Sequence, residues 1–190
     1  MEVYIENKKF NKLNLKEKFL EIGEYEYCIF SNCNFSDSDL SKYIFTDCKF
    51  INCNLTMVKL MDAALRAVKF EDCKILGVNF ENCNTFGLEI SFKNCILNHC
   101  SFYNLKLKKT IFEDSQLQET DFAECDLTNS SFKNCDLTRA VFEHSILEGA
   151  DFRTATNFII DPDSNRIKKA KFSIENISGL LVKYDIEIEN

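Results

Sequence analysis

Cysteines are the residues in this sequence most suited to metal binding, redox or nucleophilic chemistry, and the chain of 190 residues has ten of them. They occupy positions 28, 33, 48, 53, 73, 83, 95, 100, 125 and 135. A zinc site needs ligands that converge at short paired spacings, and disulfide frameworks are typical of small secreted domains. Each cysteine instead falls at the same place in a five-residue repeat, two residues before the position that is usually a large apolar residue and is here called central. We therefore predict reduced core thiols and no metal site, while an adventitious pair such as Cys28 with Cys48 stays open.

Acid–base and nucleophilic chemistry find little support in the sequence. His99 and His144 fall at outward positions three residues before a central residue, and no serine or carboxylate recurs beside them. The five glycines are scattered and form no phosphate-binding loop, and neither a nucleophile elbow nor an HExxH motif occurs. The sequence predicts a protein that is not an enzyme, with no catalytic residue and no cofactor.

A period of five residues governs most of the chain. Large apolar residues recur at this step from Phe30 to Phe80 and again from Leu97 to Phe152, where Leu and Phe alternate. This period fits neither the turn of an α-helix nor the alternation of a simple strand. One inward pair of residues in every five requires a corner every five. Four such corners would close a coil of about twenty residues, stacked on its neighbours as in other solenoids.

Stretches such as Ala-Glu-Cys-Asp-Leu and Glu-Gly-Ala-Asp-Phe resemble the A(D/N)LXX signature of the pentapeptide-repeat family over roughly residues 28 to 155. The resemblance implies an all-β fold, a right-handed quadrilateral parallel β-helix, in which the central Leu or Phe and the small residue before it point inward. Residues twenty apart should then stack. We expect one phenylalanine ladder from Phe102 to Phe142 and the opposite one from Phe112 to Phe152.

The repeat divides the chain into three segments. Residues 1–27, with a weaker pattern, are predicted to form an N-terminal cap, residues 28–155 the β-helix, and residues 156–190 a C-terminal segment. Two extra residues near Phe86 to Leu88 interrupt the period, and a tolerated bulge is favoured there over a partner-binding loop. The last segment predicts a turn at 161–165, a short helix at 178–184 and a strand at 186–188.

Negative charge is concentrated in one stretch. The net charge is −7, yet residues 28–112 carry ten Lys or Arg against eight Asp or Glu, whereas residues 113–151 carry ten acids against two bases. On a rigid rod these acids should create a fixed field that attracts a basic partner and repels nucleic acid. The partner-binding candidates are Glu113, Asp114, Glu119, Asp121, Glu124, Asp126, Asp136 and Glu143.

The C-terminal segment is similar to the helix and strand through which gyrase-interacting members of the family, including plasmid-borne quinolone-resistance proteins, form twofold dimers. The resemblance implies a homodimer whose interface candidates are Leu180, Leu181, Tyr184, Ile186 and Ile188. A monomer in which the same leucines cover the last coil is the alternative. For the dimer, the resemblance implies B-DNA mimicry and binding to bacterial DNA gyrase or topoisomerase IV, in a quinolone-resistance-like or immunity-type role.

Two further expectations limit this interpretation. Quinolone-resistance members carry extended loops that this chain lacks, so a scaffold solenoid with another protein partner is the alternative function. No apolar run is long enough for a signal peptide or a membrane-spanning helix, so we expect a cytoplasmic protein without a membrane partner.

Overall fold

The computed structural model describes residues 3–187 and Glu189, and the chain winds into a quadrilateral parallel β-helix of about seven turns. The fold class implied by the resemblance to the pentapeptide-repeat family is confirmed. The strands are β1 (Val3–Glu6), β2 (Lys9–Asn11), β3 (Gly23–Glu26), β4 (Ile29–Ser31), β5 (Ile44–Thr46), β6 (Lys49–Ile51), β7 (Ala64–Arg66), β8 (Val68–Glu71), β9 (Ile90–Lys93), β10 (Ile111–Glu113) and β11 (Ser131–Lys133). The 3₁₀ helices are Phe80–Asn82, Ile174–Leu180 and Val182–Tyr184.

The four faces of the rod follow from the pairing of residues one coil apart. The first face contains the sheet β1-β3-β5-β7, and the second contains the sheet β2-β4-β6-β8-β9-β10-β11. The third and fourth faces are columns of parallel bridges, such as Gln116 with Asp136 and Asp121 with Val141. Except between β8 and β9, partners in both sheets are twenty residues apart, as in Phe30 with Phe50, so equivalent positions of the repeat stack on one another.

The corners are made by residues in the left-handed backbone region. Along the repeat, corner residues such as Asn32, Lys42, Asp114 and Glu124 have φ values between +51° and +66°. This region is unfavourable for most residues, but Asn and Asp tolerate it best because their short polar side chains bond locally. These left-handed corner residues explain how the chain turns every five residues while containing only five glycines and one proline. Asparagine side chains also bond between coils, as from Asn52 Nδ2 to Asn32 Oδ1 at 2.7 Å.

The core consists of stacked apolar columns. The Phe102, Phe122 and Phe142 rings stack at centroid distances of 5.2 and 5.1 Å, and Phe112 stacks on Phe132 at 5.0 Å. The two ladders meet edge to face, so both aromatic geometries that are favourable occur together. The predicted ladders are therefore present. The second-face ladder is longer than expected from the sequence, since it runs from Phe10 to Phe172 without a break.

The small residue before each central position has a hydrogen-bonding task. The Cys125 thiol donates to the Phe102 carbonyl at 2.8 Å, and the Ser145 hydroxyl donates to the Phe122 carbonyl at 2.8 Å. The slot thus favours a small side chain that can donate a second hydrogen bond to a main-chain oxygen of the preceding coil, which also accepts a backbone amide. All ten cysteines are buried and unbridged, as predicted from their position in this slot.

The irregularity near Phe86 is a two-residue insertion that the solenoid absorbs locally. Across it, Val68 pairs with Ile90, an offset of 22 residues, and the offset of twenty resumes in the next coils. Thr85, at a central position, is exposed, and Leu88 packs against the core in its place. Phe86 projects with 78% of its surface exposed and lies 5.9 Å from the Arg66 guanidinium. The backbone therefore bulges outward on the first face.

The two ends differ in their cover. At the N-terminus, β1 and β2 stack on β3 and β4 with the same twenty-residue register, so residues within the predicted cap complete a first coil. At the C-terminus, the predicted turn is present near residues 162–164, and the predicted helix is a pair of 3₁₀ helices that begins earlier, at Ile174. Residues 185–187 have no regular structure, so the expected strand is absent there, and Ile188 lies outside the described residues.

Candidate partner-binding surface

The eight acids predicted to bind a partner do not share one face, because a corner every five residues carries them around the rod. Asp126 lies on the first face, Glu113 on the second, Asp136 on the third and Asp121 on the fourth. Glu143 follows on the fourth face one coil further along. The corner positions hold Asp114, Glu119 and Glu124. A partner that approaches from one side therefore meets only part of this set.

Three of these acids are neutralised by basic side chains. Glu113 lies between Lys133 and Lys93, and the Lys133 bond holds the pKa of Glu113 below its ordinary value. Glu119 faces Arg139 at 3.5 Å and His99 at 3.3 Å. Asp126 pairs with Lys108 at 3.1 Å. Each of these carboxylates offers less free charge to a partner than the sequence count indicates, although exposed pairs of this kind are weak.

Hydrogen bonding holds two more acids in place without a cation. Burial alone would raise the pKa of Asp136, but hydrogen bonds from Asn157, Gln118 and Thr138 outweigh it and lower that pKa to about 2. Asp114 accepts a bond from Asn134 Nδ2 at 2.8 Å across one coil. Asp136 therefore keeps its charge at neutral pH. Both carboxylates lie at or near the third face, away from the fourth.

Asp121, Glu124 and Glu143 form what we call the acidic strip. They lie on the fourth face and its edge, and none has a basic partner within 4 Å in the part of the chain that the structure describes. Glu124 and Glu143 are on adjacent coils, because the Glu124 amide donates to the Glu143 carbonyl at 2.8 Å. A hydrogen bond to Glu124 raises the pKa of the neighbouring Tyr103. The strip is therefore a fixed, unneutralised anionic surface.

The C-terminal residues predicted to form a dimer interface have different environments. Leu180 is 8% exposed and belongs to the chain's own core, Leu181 is half-buried, and Tyr184 and Ile186 are exposed. The fifth candidate, Ile188, is outside the described range. Leu180 is thus used to cover the last coil, which leaves Tyr184 and Ile186 as the described candidates that a second chain can contact.

The cover over the last coil is fixed by specific contacts. The Asn176 side-chain amide donates to the carbonyls of Phe152 and Ala155 at 3.0 and 2.9 Å. Gly179 lies so close to Phe158 that an added Cβ would sit 2.3 Å from the Phe158 carbonyl oxygen. Lys183 pairs with Asp161 at 2.6 Å and also with Asp163. These contacts anchor the segment up to Lys183 against the last coil.

None of the helices in the described range is long and apolar enough to cross a membrane. Within the same range, no cluster of three or more His, Cys, Asp or Glu side chains is arranged to hold a metal ion.

The comparisons with known proteins agree with the geometry. The family model described as "Pentapeptide repeat region" matches residues 24–91 and 78–152, which is more than half of the chain. The sequence matches none of the curated proteins with which it was compared.

Among solved structures, the chain is similar to QnrB1, a plasmid-mediated fluoroquinolone resistance protein. For a trypsin-treated form, the identity is 15% and the TM-score 0.62, with both chains covered fully. For full-length QnrB1, the identity is 13% and the TM-score 0.62, with 97% of this chain and 100% of that chain covered. HetL, involved in heterocyst differentiation regulation in the cyanobacterium Nostoc, aligns at 16% identity and a TM-score of 0.44, over 88% of this chain and 86% of its own. By repeat, architecture and family match, the chain belongs to the pentapeptide-repeat family.

Proposed function

We propose that this protein is a non-enzymatic DNA mimic that binds the DNA-binding region of bacterial DNA gyrase or topoisomerase IV. The acidic strip is the observation that carries the proposal. A surface that binds duplex DNA presents positive charge to a line of phosphates. Three carboxylates on adjacent coils, without neutralising cations, offer the corresponding negative charge on a rod that does not have to reorganise to bind.

Rigidity supports this role because binding then costs little conformational entropy. The Asp121 amide donates to the Cys100 carbonyl at 2.9 Å, and the Phe122 amide donates to Val141 at the same distance. Phe122, between the strip residues, is fully buried. The strip is therefore attached to a hydrogen-bonded and fully packed part of the rod. The similarity to gyrase-interacting family members supports the choice of partner, and the fold that QnrB1 shares is compatible with it.

The proposal is tested by reversing the charge of the strip. We expect the native protein to change the supercoiling activity of gyrase, by inhibition or by protection from a quinolone. The triple variant Asp121→Lys, Glu124→Lys and Glu143→Lys should need at least about tenfold more protein for the same effect, because fixed charge governs the encounter. Lysine is compatible with the corner at Glu124, since Lys109 adopts the same conformation with φ +59°.

A matched control separates the strip from net charge. The variant Glu17→Lys, Glu21→Lys and Glu24→Lys changes the total charge by the same amount near the N-terminal coil and should keep the native effect. Thermal melts of both variants verify that they fold. Equal loss in the two variants, or a folded native protein without any effect on gyrase or topoisomerase IV, would contradict DNA mimicry.

A scaffold solenoid with another protein partner is the second candidate function. The exposed Phe86 on the bulge of the first face favours it, because an aromatic ring is a common anchor in protein interfaces. In that case Phe86→Ala would abolish binding to the partner, whereas the strip variant would not.

We also propose that the C-terminal segment mediates self-association. Tyr184 and Ile186 are 51% and 55% exposed beyond the anchored part of the cover. Apolar side chains in this position gain most by contact with a second chain.

A further inference from the structure

A groove of about 630 Å³ lies at the corner between the first and second faces, beside the two-residue insertion. Three consecutive coils line it, with Lys69 from the first, Leu88 and Ser91 from the second, and Lys109 and Ile111 from the third. The insertion shapes it, because residues 85–87 are exposed on the bulge, Leu88 turns back to the core, and the Glu89 amide then donates to the Leu65 carbonyl at 3.0 Å. The sequence pattern alone does not reveal the groove, since it depends on the offset of 22 residues.

The groove is basic although the protein as a whole is acidic. Lys69, Lys106 and Lys109 are exposed, and none has a carboxylate partner within 4 Å among residues 3–187 and 189. A fourth lysine, Lys108, pairs with Asp126, and Glu89 is the single acid in the lining. On a chain of net charge −7, this local excess of positive charge identifies an anionic ligand or segment as the complementary partner.

Apolar surface accompanies the lysines. Ile111 is 52% exposed on the second face, and Leu88 is only partly covered by the core. Ser91, between Lys69 and Ile111 in the same column, is small and leaves space above it. A free phosphate would use the lysines and leave Ile111 and Leu88 exposed. The combination better fits an extended peptide in which acidic and apolar side chains alternate.

The chain itself contains such a peptide. Its last residues read Tyr-Asp-Ile-Glu-Ile-Glu-Asn, with acids at Asp185, Glu187 and Glu189 between apolar residues that include Tyr184 and Ile186. In an extended conformation, alternate side chains point to opposite sides. One side of this tail would then be acidic and the other apolar. Asp185 to Glu187 are exposed and have no regular structure.

The tail cannot easily reach the groove of its own chain. Lys183 is held by Asp161 and Asp163, and Asp161 lies beside Val141 of the fourth face, whereas the groove lies between the first and second faces. Three coil steps, about 14 Å at the usual strand spacing, separate Lys171 from Ile111 along the rod. The five residues after Asp185 span at most about 18 Å when fully extended, which leaves little for the path around the rod.

We propose that the C-terminal tail of one copy lies in the lysine groove of a second copy. Reciprocal exchange of two tails gives a closed twofold dimer, the commonest symmetry of homo-oligomers. This inference rests on the proposed self-association and defines its acceptor surface. It does not use the acidic strip, so the supercoiling assay and the association assay fail independently.

Sedimentation equilibrium of the full chain tests the exchange. We expect a dimer, and we expect Lys69→Glu with Lys109→Glu to weaken it at least tenfold. Glutamate is compatible with the corner at Lys109, because Glu119 and Glu124 adopt the same conformation. The matched control, Lys9→Glu with Lys12→Glu, changes the same column and another corner far from the groove and should leave the dimer intact.

Charge exchange makes the test specific for this pairing. Adding Asp185→Lys and Glu187→Lys to the groove variant should restore association, whereas the tail substitutions alone should weaken it. In addition, a fluorescent peptide of residues 182–190 should bind a chain truncated after Tyr184 and lose at least tenfold in affinity for its groove variant. A monomeric full chain, a dimer unaffected by truncation, or equal peptide binding by groove and control variants would overturn the proposal.

Discussion

Replacing Phe122 with alanine is expected to lower the free energy of unfolding by about 3 to 5 kcal/mol, the usual cost of removing a buried phenylalanine. The ring is fully buried, stacks on Phe102 and Phe142, and meets Phe112 and Phe132 edge to face at 5.6 and 5.7 Å. Because four rings surround it and the backbone of each coil is hydrogen-bonded on both sides, the cavity cannot collapse easily. Urea unfolding followed by circular dichroism measures the loss.

The control for this experiment is Glu119→Ala. Its carboxylate is exposed and makes only surface contacts with Arg139 and His99, so its removal should cost less than about 1 kcal/mol. Equal losses for the two variants would contradict the inward and outward assignment of the repeat. Because stability in a solenoid is shared between neighbouring coils, the Phe122 variant is also expected to broaden the transition.

The second large effect is loss of stability at alkaline pH. Burial raises the pKa of Cys48, Cys83, Cys100, Cys125 and Cys135 from near 9 to about 12. Above pH 9 the unfolded chain loses these protons while the folded chain keeps them. The stability is therefore complete below pH 9 and falls as the pH rises toward 12. Between pH 9 and pH 12, each thiol lowers the free energy of unfolding by about 1.4 kcal/mol per pH unit. Five thiols together therefore lower it by about 7 kcal/mol at pH 10.

That loss is comparable with the whole stability of many domains, roughly 5 to 15 kcal/mol, so we expect unfolding between about pH 10 and pH 11. Urea melts at pH 7.5, 9 and 10 measure the slope. The variant Cys125→Ser supplies the control, because Ser145 shows that serine makes the same bond in this slot. It removes one titrating thiol and should reduce the slope by about one fifth in the interval where the five groups act. A free energy of unfolding that stays constant from pH 7.5 to pH 10 would contradict the burial of the thiols.

Most of the fold could be predicted from the sequence because the five-residue period is strict. The period placed the cysteine slot and the interruption near Phe86 correctly, and the fold implied by the family resemblance placed the Phe102 and Phe112 ladders. The role of Leu88 could not be predicted, since Thr85 occupies the regular position and only the path of the bulge brings Leu88 to the core. The course of the C-terminal segment was likewise predictable only in part, because Leu180 packs through tertiary contacts that have no periodic signal.

The candidate site was less predictable than the fold. Charge counted along the chain grouped Glu113 with Glu143, yet residues share a face only when they are about twenty apart. Applying that offset to the sequence would have separated Asp126 from Asp121 and paired Glu113 with Lys133. The lysine groove is harder still to predict from the sequence, because Lys69 and Lys109 are brought together across an insertion whose length must be known.

The corner residues have a consequence for how this surface can change. Because Asn, Asp, Lys, Glu, His, Arg, Met and Tyr all occupy corners with nearly the same φ, the path of the main chain does not depend on which of them is present. Electrostatic character and shape are thus encoded at separate positions. Evolution could therefore substitute the exterior of the rod one corner at a time, and so gain or lose binding partners, while the interior and the spacing of the coils stayed the same.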